Sequence, residues 1–114
     1  MTALHEATWF QVCPANALAP DSGAAVLLPD RDQIAVFRTY RGDLYALDNV
    51  DPFCRAAVLA RGIVGDRRGV PVIVSPMYKQ AFDLRTGRCL DDPEVVLRTY
   101  QVRVRDGVVA VRLW

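Results

Sequence analysis

Histidine and cysteine are both scarce in this sequence, which narrows the kinds of site that it can build. The 114 residues contain one histidine, His5, so the chain cannot by itself form a site with two imidazole ligands. His5 is also the one residue that could act as a histidine base beside a nucleophile. The three cysteines, Cys13, Cys54 and Cys89, are far apart and form no C-x-x-C pair. Free thiols in a reducing compartment are the ordinary expectation for this pattern, and a metal site built from them is the alternative.

An excess of charge and a long apolar run are also missing. Fourteen basic and thirteen acidic residues give a formal net charge of +1. The long-range electrostatic field should therefore be weak, which argues against nucleic acid as the main partner. No stretch approaches the roughly 20 apolar residues of a membrane helix, and the first residues lack a basic segment followed by an apolar one. We therefore expect a cytoplasmic protein with no nucleic-acid or membrane partner.

The residues that are present favour β-structure. With 52% hydrophobic and 24% charged residues, the chain has the composition of a globular protein, and we predict a single domain over residues 1–114. Most of it alternates with a period of two or forms short apolar runs, and no long amphipathic helix is found. The fold is therefore predicted to be all-β. The predicted strands are Thr8–Cys13, Ala24–Leu28, Gln33–Tyr40, Asp43–Leu47, Val70–Val74, Gln80–Leu84, Tyr100–Val104 and Val108–Leu113.

Turns and two irregular segments separate these strands. The alternation fails between Asp48 and Gly69, and residues 49–62 are predicted to form a long ordered loop. A second irregular segment covers residues 75–79. Because function concentrates in long loops on a rigid scaffold, these two segments are the candidate site. Four dipeptides are predicted hairpin turns, each with a glycine that tolerates positive φ: Arg41-Gly42, Arg68-Gly69, Thr86-Gly87 and Asp106-Gly107.

The second irregular segment and the residues after it resemble a known loop. Residues 75–87 read SPMYKQAFDLRTG, which resembles the second cluster-binding loop of Rieske iron–sulfur domains, where Cys-Pro-x-His-Gly precedes a strand and a Thr-Gly turn. The first such loop, Cys-x-His followed five residues later by Leu, falls on Pro52, Cys54 and Leu59. The resemblance covers nearly the whole chain. It implies a Rieske-like antiparallel β-sandwich or barrel with two loops at the former cluster-binding end.

The ligands of a Rieske cluster are absent from this pattern. Such a cluster is held by two cysteine thiolates and two histidine nitrogens. The resemblance places Pro52 and Ser75 at the cysteine positions, and Cys54 and Tyr78 at the histidine positions. None of the four ligands is retained. The resemblance therefore implies that this chain has no catalytic residue, no metal ligand and no cofactor of its own.

Three segments are similar to one family in particular, the small subunits of assimilatory NAD(P)H-dependent nitrite reductase. They are DNVDPF at residues 48–53, VLARGIVGD at residues 58–66 and SPMYKQAFDLRTGRCLDD at residues 75–92. This resemblance implies a non-catalytic subunit of a cytoplasmic enzyme that reduces nitrite to ammonium. Its expected partner is the large subunit, which carries FAD, an iron–sulfur cluster and sirohaem. The alternative is a small electron-transfer protein that binds an iron–sulfur site through Cys13, Cys54 and Cys89.

The apex of the two loops is the expected contact with the large subunit. Aromatic and arginine side chains are favoured at the centres of interfaces. In the alternative interpretation, Phe53 and Tyr78 fill the space that the cluster left. Arginines in and beside the loops could also bind an anion, although Asp51, Asp66 and Asp83 in the same stretch can neutralise them. The predicted interface residues are Phe53, Arg55, Met77, Tyr78, Lys79 and Gln80.

Overall fold

The computed structural model describes residues 8–113, which form short strands joined by turns and loops. Every strand pair is antiparallel. This confirms the predicted all-β, antiparallel architecture. The strands are β1 (Trp9–Pro14), β2 (Ser22–Leu27), β3 (Gln33–Arg38), β4 (Leu44–Asp48), β5 (Ile63–Arg67), β6 (Val70–Val74), β7 (Ala81–Asp83), β8 (Thr99–Tyr100), β9 (Val102–Arg105) and β10 (Val108–Arg112).

The strands form three sheets. Their orders are β1-β10-β9, β2-β3-β4-β8 and β5-β6-β7. The described residues also contain two single turns of 3-10 helix, Ala15–Ala17 and Leu59–Arg61. Neither is long and apolar enough to cross a membrane.

Strand β3 is the shared wall between two parts of the core. Its residues alternate between two faces, and four consecutive residues, Ile34 to Phe37, are fully buried. Ala35 and Phe37 face a cluster that contains Phe82 and Leu59, whereas Ile34 and Val36 face a second cluster beneath β10. Burial on both faces explains the uninterrupted apolar run in this strand.

The four predicted glycine turns are confirmed by the backbone. Gly42, Gly69, Gly87 and Gly107 all have positive φ, between 75° and 90°. In the turn between β5 and β6, Arg68 also has positive φ, at 53°. Two successive residues of this kind are typical of the type I′ turn, whose twist matches that of a two-stranded ribbon.

One strand was missed by the sequence pattern, and one predicted strand is two strands in the structure. Strand β5 lies in the stretch where the alternation fails, because it is an edge strand in which only Val64 is buried. With one buried residue it shows no apolar alternation in its sequence. The predicted strand Tyr100–Val104 is divided at Gln101, so that β8 pairs with β4 and β9 pairs with β10.

Candidate functional site

Two loops meet at one end of the molecule. Loop 1, residues 49–62, follows β4, and loop 2, residues 75–80, joins β6 to β7. Strand β5 pairs with β6 so that Ile63 faces Val74, which brings the end of loop 1 beside the start of loop 2. The approach is close, since a Cβ added to Gly62 would lie 2.2 Å from the Val74 carbonyl oxygen.

The two loops contain the same backbone turn. In loop 1 the Asp51 amide donates to the Ala56 carbonyl at 2.9 Å, and the Asp51 carbonyl accepts the Arg55 amide at 2.7 Å. In loop 2, Ser75 makes the same two bonds with the residues five and four positions further on, at 2.9 and 3.2 Å. Asp51 and Ser75 therefore occupy equivalent positions.

This equivalence aligns two short sequences, DPFCRA at residues 51–56 and SPMYKQ at residues 75–80. Both have proline in second place and a basic residue in fifth place. The basic residues, Arg55 and Lys79, have φ of 62° and 67°, a left-handed conformation that is uncommon for residues other than glycine. We refer to these two turns together as the tip.

The side chains of Asp51 and Ser75 join the two turns of the tip. The Ser75 hydroxyl donates a hydrogen bond to Asp51 Oδ2, and both residues are 0% exposed. The Phe53 amide donates to Asp51 Oδ1 at 2.8 Å, and the Met77 amide donates to Ser75 Oγ at 3.3 Å. Burying a carboxyl group is costly unless hydrogen bonds satisfy its oxygens. This network provides those bonds and fastens one loop to the other.

Asn49 fastens the base of loop 1, a role that the sequence analysis did not assign. The residue is 1% exposed, and its Oδ1 accepts the Ala60 amide at 2.7 Å. Its backbone amide donates to the Gln33 carbonyl at 3.0 Å, and its carbonyl accepts the Leu59 amide at 3.1 Å. The available sequence signal is its place directly after β4, where a side chain that can bond to the backbone often ends a strand.

The four positions that the resemblance equates with cluster ligands are not alike in the structure. Ser75 is fully buried, Cys54 is half-buried, and Pro52 and Tyr78 are exposed. The residue of loop 1 that bonds to Ser75 is Asp51, one position before Pro52. A Rieske cluster takes two thiolates and two imidazoles. The carboxyl group and hydroxyl group that meet here, with one thiol and one phenol nearby in sequence, do not match that donor set.

The six predicted interface residues all lie in the tip, with unequal exposure. Phe53 is half-buried, and its ring centroid lies 6.2 Å from that of Phe82 in the core. Gln80 is also half-buried, and its Oε1 has no hydrogen-bond partner among residues 8–113. The exposed members are Arg55, Met77, Tyr78 and Lys79.

The three cysteines lie in separate parts of the molecule. Cys89 is buried in the core cluster that contains Phe82, Cys13 packs against the cluster beneath β10, and Cys54 lies in the tip. Within the part of the chain that the structure describes, no three histidine, cysteine or acidic side chains form a group that could hold a metal ion. His5 lies outside that part. The alternative thiolate site therefore receives no support from the geometry.

Two acidic residues beside the loops are paired with arginines. Asp83 pairs with Arg85 at 3.0 Å, and Asp91 pairs with Arg67 at 3.1 Å. Burial would raise the pKa of Asp83, but the hydrogen bonds and charge of Arg85 outweigh it and lower that pKa. The Ala81 amide, directly after loop 2, is the main cause that lowers the pKa of Asp91. These pairs leave less basic charge free for an anion than the number of arginines suggests.

Comparisons with known proteins agree with this architecture. The family model for the Rieske-like [2Fe-2S] domain matches residues 8–112. The nitrite reductase (NADH) small subunit of Escherichia coli (strain K12) is 38% identical over 105 residues, which cover 91% of this chain and 96% of that protein. A solved structure from Mycobacterium tuberculosis, described as a candidate NADH-dependent nitrite reductase small subunit, is 45% identical with a TM-score of 0.91 and covers 96% of this chain and 97% of that one.

A further relative contains a similar domain within a larger protein. The nitrite reductase [NAD(P)H] large subunit of Klebsiella oxytoca is 41% identical over 109 residues, which cover 96% of this chain but 11% of that protein. The Escherichia coli relative, in contrast, matches this chain over nearly its full length. The chain therefore belongs to the Rieske-like [2Fe-2S] domain family, and within it to the small subunits of NAD(P)H-dependent nitrite reductase.

Proposed function

We propose that this chain is the non-catalytic small subunit of a cytoplasmic NAD(P)H-dependent nitrite reductase that reduces nitrite to ammonium in nitrate and nitrite assimilation. The large subunit of such an enzyme carries FAD, an iron–sulfur cluster and sirohaem. This chain binds no [2Fe–2S] cluster and supports the large subunit by contact. The names of its relatives support the enzyme assignment.

The hydrogen bond between Asp51 and Ser75 is the observation that carries the non-catalytic part of the proposal. It joins the two turns whose counterparts hold the cluster in a Rieske domain, and both side chains are fully buried. Electron transfer through this fold depends on a cluster held at that point. A carboxyl group and a hydroxyl group at that point are not the ligands of such a cluster, so the role that we propose for the tip is binding.

The Klebsiella oxytoca relative supports the choice of partner. Its large subunit contains a region that is 41% identical to this chain, so in that protein such a domain shares one polypeptide with the rest of the large subunit. Domains that are fused in one protein and separate in another commonly work in contact with each other. The partner of this chain is accordingly a nitrite reductase large subunit.

We place the contact with the large subunit at the tip. Met77 and Tyr78 are 52% and 59% exposed, and exposed apolar and aromatic side chains side by side often mark an interaction site. Phe53 and Gln80 lie half-buried in the same turns, and Arg55 and Lys79 add exposed charge. These six residues form the proposed interface.

Co-purification and an activity assay test the proposal. The large subunit from the same organism is produced with and without the tagged chain, and nitrite-dependent oxidation of NADH and NADPH is measured. We expect a stable complex, with full activity only when this chain is present. A large subunit that is fully active alone, or that does not bind the chain, would contradict the proposal.

A pair of variants tests the position of the interface. Replacing Met77 and Tyr78 together by alanine should weaken binding about tenfold or more, as expected for residues near the centre of an interface. The control replaces Tyr40 and Val96 by alanine, since these residues are 63% and 54% exposed and lie outside the tip. Unchanged binding by the tip variant, or an equal loss in the control, would show that Met77 and Tyr78 are not at the centre of the interface.

A further inference from the structure

We infer that the tip recognises an acidic surface of the large subunit through Arg55 and Lys79. The inference rests on the proposed function, because it takes the large subunit as the partner, and it adds the chemistry of recognition. Three features of the tip support it. They are the sign of the exposed charge, the equivalent positions of the two basic residues and the apolar side chains beside them.

All of the exposed charge in the tip is positive. Its charged residues are Arg55, Lys79 and Asp51, and the acid is fully buried and bonded to Ser75. Within residues 8–113 neither cation forms an ion pair, and the Lys79 ammonium donates to the Pro76 carbonyl at 3.1 Å. Since the whole chain has a net charge of only +1, these two cations are a local feature of the tip.

The backbone at both cations favours glycine. Arg55 and Lys79 have φ of 62° and 67°, and a residue with a side chain adopts this region at a steric cost. The Rieske loop pattern has glycine at the position of Lys79. If only the backbone shape of these two turns mattered, glycine would fit both positions at a lower steric cost. Arg31 and Arg68 also have positive φ, at 74° and 53°, so this conformation alone does not indicate that a side chain is used. Arg55 and Lys79 differ from them because they occupy equivalent positions in two turns that a hydrogen bond joins, which gives the tip two basic side chains.

The apolar side chains beside the cations favour a protein surface as the partner. Pro52, Met77 and Tyr78 are all exposed. Nucleic acids and other polyanions are bound by extended stripes of basic residues, whereas protein interfaces combine an apolar centre with a charged rim. The complementary surface on the large subunit is an apolar patch flanked by carboxylates.

Glycine substitutions remove the charges while keeping a backbone conformation that glycine adopts readily. Binding of the large subunit is measured at low and high salt for Arg55→Gly, Lys79→Gly and the double variant. Arg68→Gly is the matched control, because Arg68 is exposed, has φ of 53° and lies at the other end of β6 from Ser75. A fourth variant, Arg55→Lys with Lys79→Arg, keeps both charges.

We expect each single tip variant to bind roughly threefold to tenfold more weakly, mainly through slower association, with no fall in melting temperature. Arg68→Gly and the charge-keeping variant should bind like the parent. Binding of the parent should weaken as salt rises, and the double variant should depend less on salt.

Several outcomes would overturn the inference. Normal binding by the tip variants, or an equal loss in Arg68→Gly, would do so and would leave the proposed function standing. A parallel loss of binding to heparin would identify a general polyanion site instead of a protein interface. If the parent chain does not bind the large subunit at all, the proposed function itself fails.

Discussion

At the scale of single residues, the buried carboxyl group of Asp51 matters most for the tip. It accepts hydrogen bonds from the Ser75 hydroxyl and the Phe53 amide. A buried polar group that loses its partner costs about 1–3 kcal/mol. The stability of the tip therefore depends on both sides of the contact between the loops.

Replacing Ser75 by alanine removes the hydroxyl and leaves Asp51 Oδ2 without this donor. We expect Ser75→Ala to lower the free energy of unfolding by about 1–3 kcal/mol in urea denaturation. Ser22→Ala is the control, because the Ser22 hydroxyl donates to the Ala19 carbonyl at a more exposed site and its removal should cost less than about 0.5 kcal/mol. Equal losses in the two variants would argue against a structural role for the contact between the loops.

A second residue-scale prediction concerns Tyr100. Burial, followed by the nearby charge of Asp48, raises the pKa of Tyr100 to about 12, and its hydroxyl donates to Asp48 Oδ1 at 3.1 Å. In the unfolded chain a tyrosine ionises near pH 10. The folded state thus holds this proton more tightly, so its stabilising contribution is complete below about pH 10 and is lost as the pH rises towards 12.

Tyr100→Phe should therefore flatten the alkaline loss of stability. The difference between parent and variant should reach at most about 2–3 kcal/mol, from the conversion of about 1.4 kcal/mol for each pKa unit. Urea denaturation at a series of pH values between about 9 and 11.5 measures it. Tyr78→Phe, at an exposed tyrosine, is the control, and an unchanged alkaline slope in Tyr100→Phe would refute the assignment.

The loop residues also show a limit of prediction from the sequence, which concerns the choice of the buried residue in loop 1. The pattern identifies Ser75, which is buried where the two loops meet, but in loop 1 it points to Pro52 and not to Asp51. Shifting by one residue in a turn exchanges an inward side chain for an outward one. The backbone bonds of Asp51 to Arg55 and Ala56 decide this. The sequence signal for it is the proline and the basic residue that DPFCRA and SPMYKQ share, which aligns Asp51 with Ser75.

At the scale of elements, loop 1 is positioned by its close packing on β6. A Cβ on Gly62 would lie 2.2 Å from the Val74 carbonyl oxygen, whereas one on Gly65, in the adjacent strand β5, would have its nearest neighbour at 4.0 Å. Both glycines lack the positive φ that glycine alone tolerates well. The two positions therefore differ mainly in the space that is available.

Gly62→Ala should destabilise the protein because the backbone of β6 or loop 1 has to move. We expect a loss of about 2 kcal/mol or more, within the range for overpacking, together with shifted amide resonances around Ser75. Gly65→Ala should change the free energy of unfolding by less than about 1 kcal/mol. Similar stabilities for the two variants in urea denaturation would show that loop 1 is not held against β6 as described.

The elements that the sequence predicts well are those with a one-sided or continuous apolar pattern. Strand β3 is found because its buried run from Ile34 to Phe37 is long enough to recognise. Strand β5 is missed because its residues other than Val64 face solvent, and its pairing with β6 comes from the Arg68-Gly69 turn. The turn itself is recognisable in the sequence, but the side chains of an exposed strand do not show how far the pairing extends from it.

At the scale of the whole molecule, the alternation of apolar residues and the spacing of the turns predict the fold class. They do not predict how the core is divided into two clusters. The sequence predicts an all-β chain, but the side of β3 that each apolar residue faces becomes clear only when β10 covers one face and β6 with β7 cover the other. The concentration of exposed positive charge at the tip is likewise hidden in a nearly neutral composition. It appears because Asp51 is buried while Arg55 and Lys79 are exposed.

The central claim for the whole molecule is that a hydrogen bond between Asp51 and Ser75 holds the loops together where Rieske domains bind a cluster. Iron and acid-labile sulfide analysis, with electron paramagnetic resonance, of the chain purified anaerobically from iron-replete cells tests it most directly. We expect a colourless chain without stoichiometric iron that still binds the large subunit. A coloured chain with about two iron atoms and a Rieske-type or other iron–sulfur signal would contradict it.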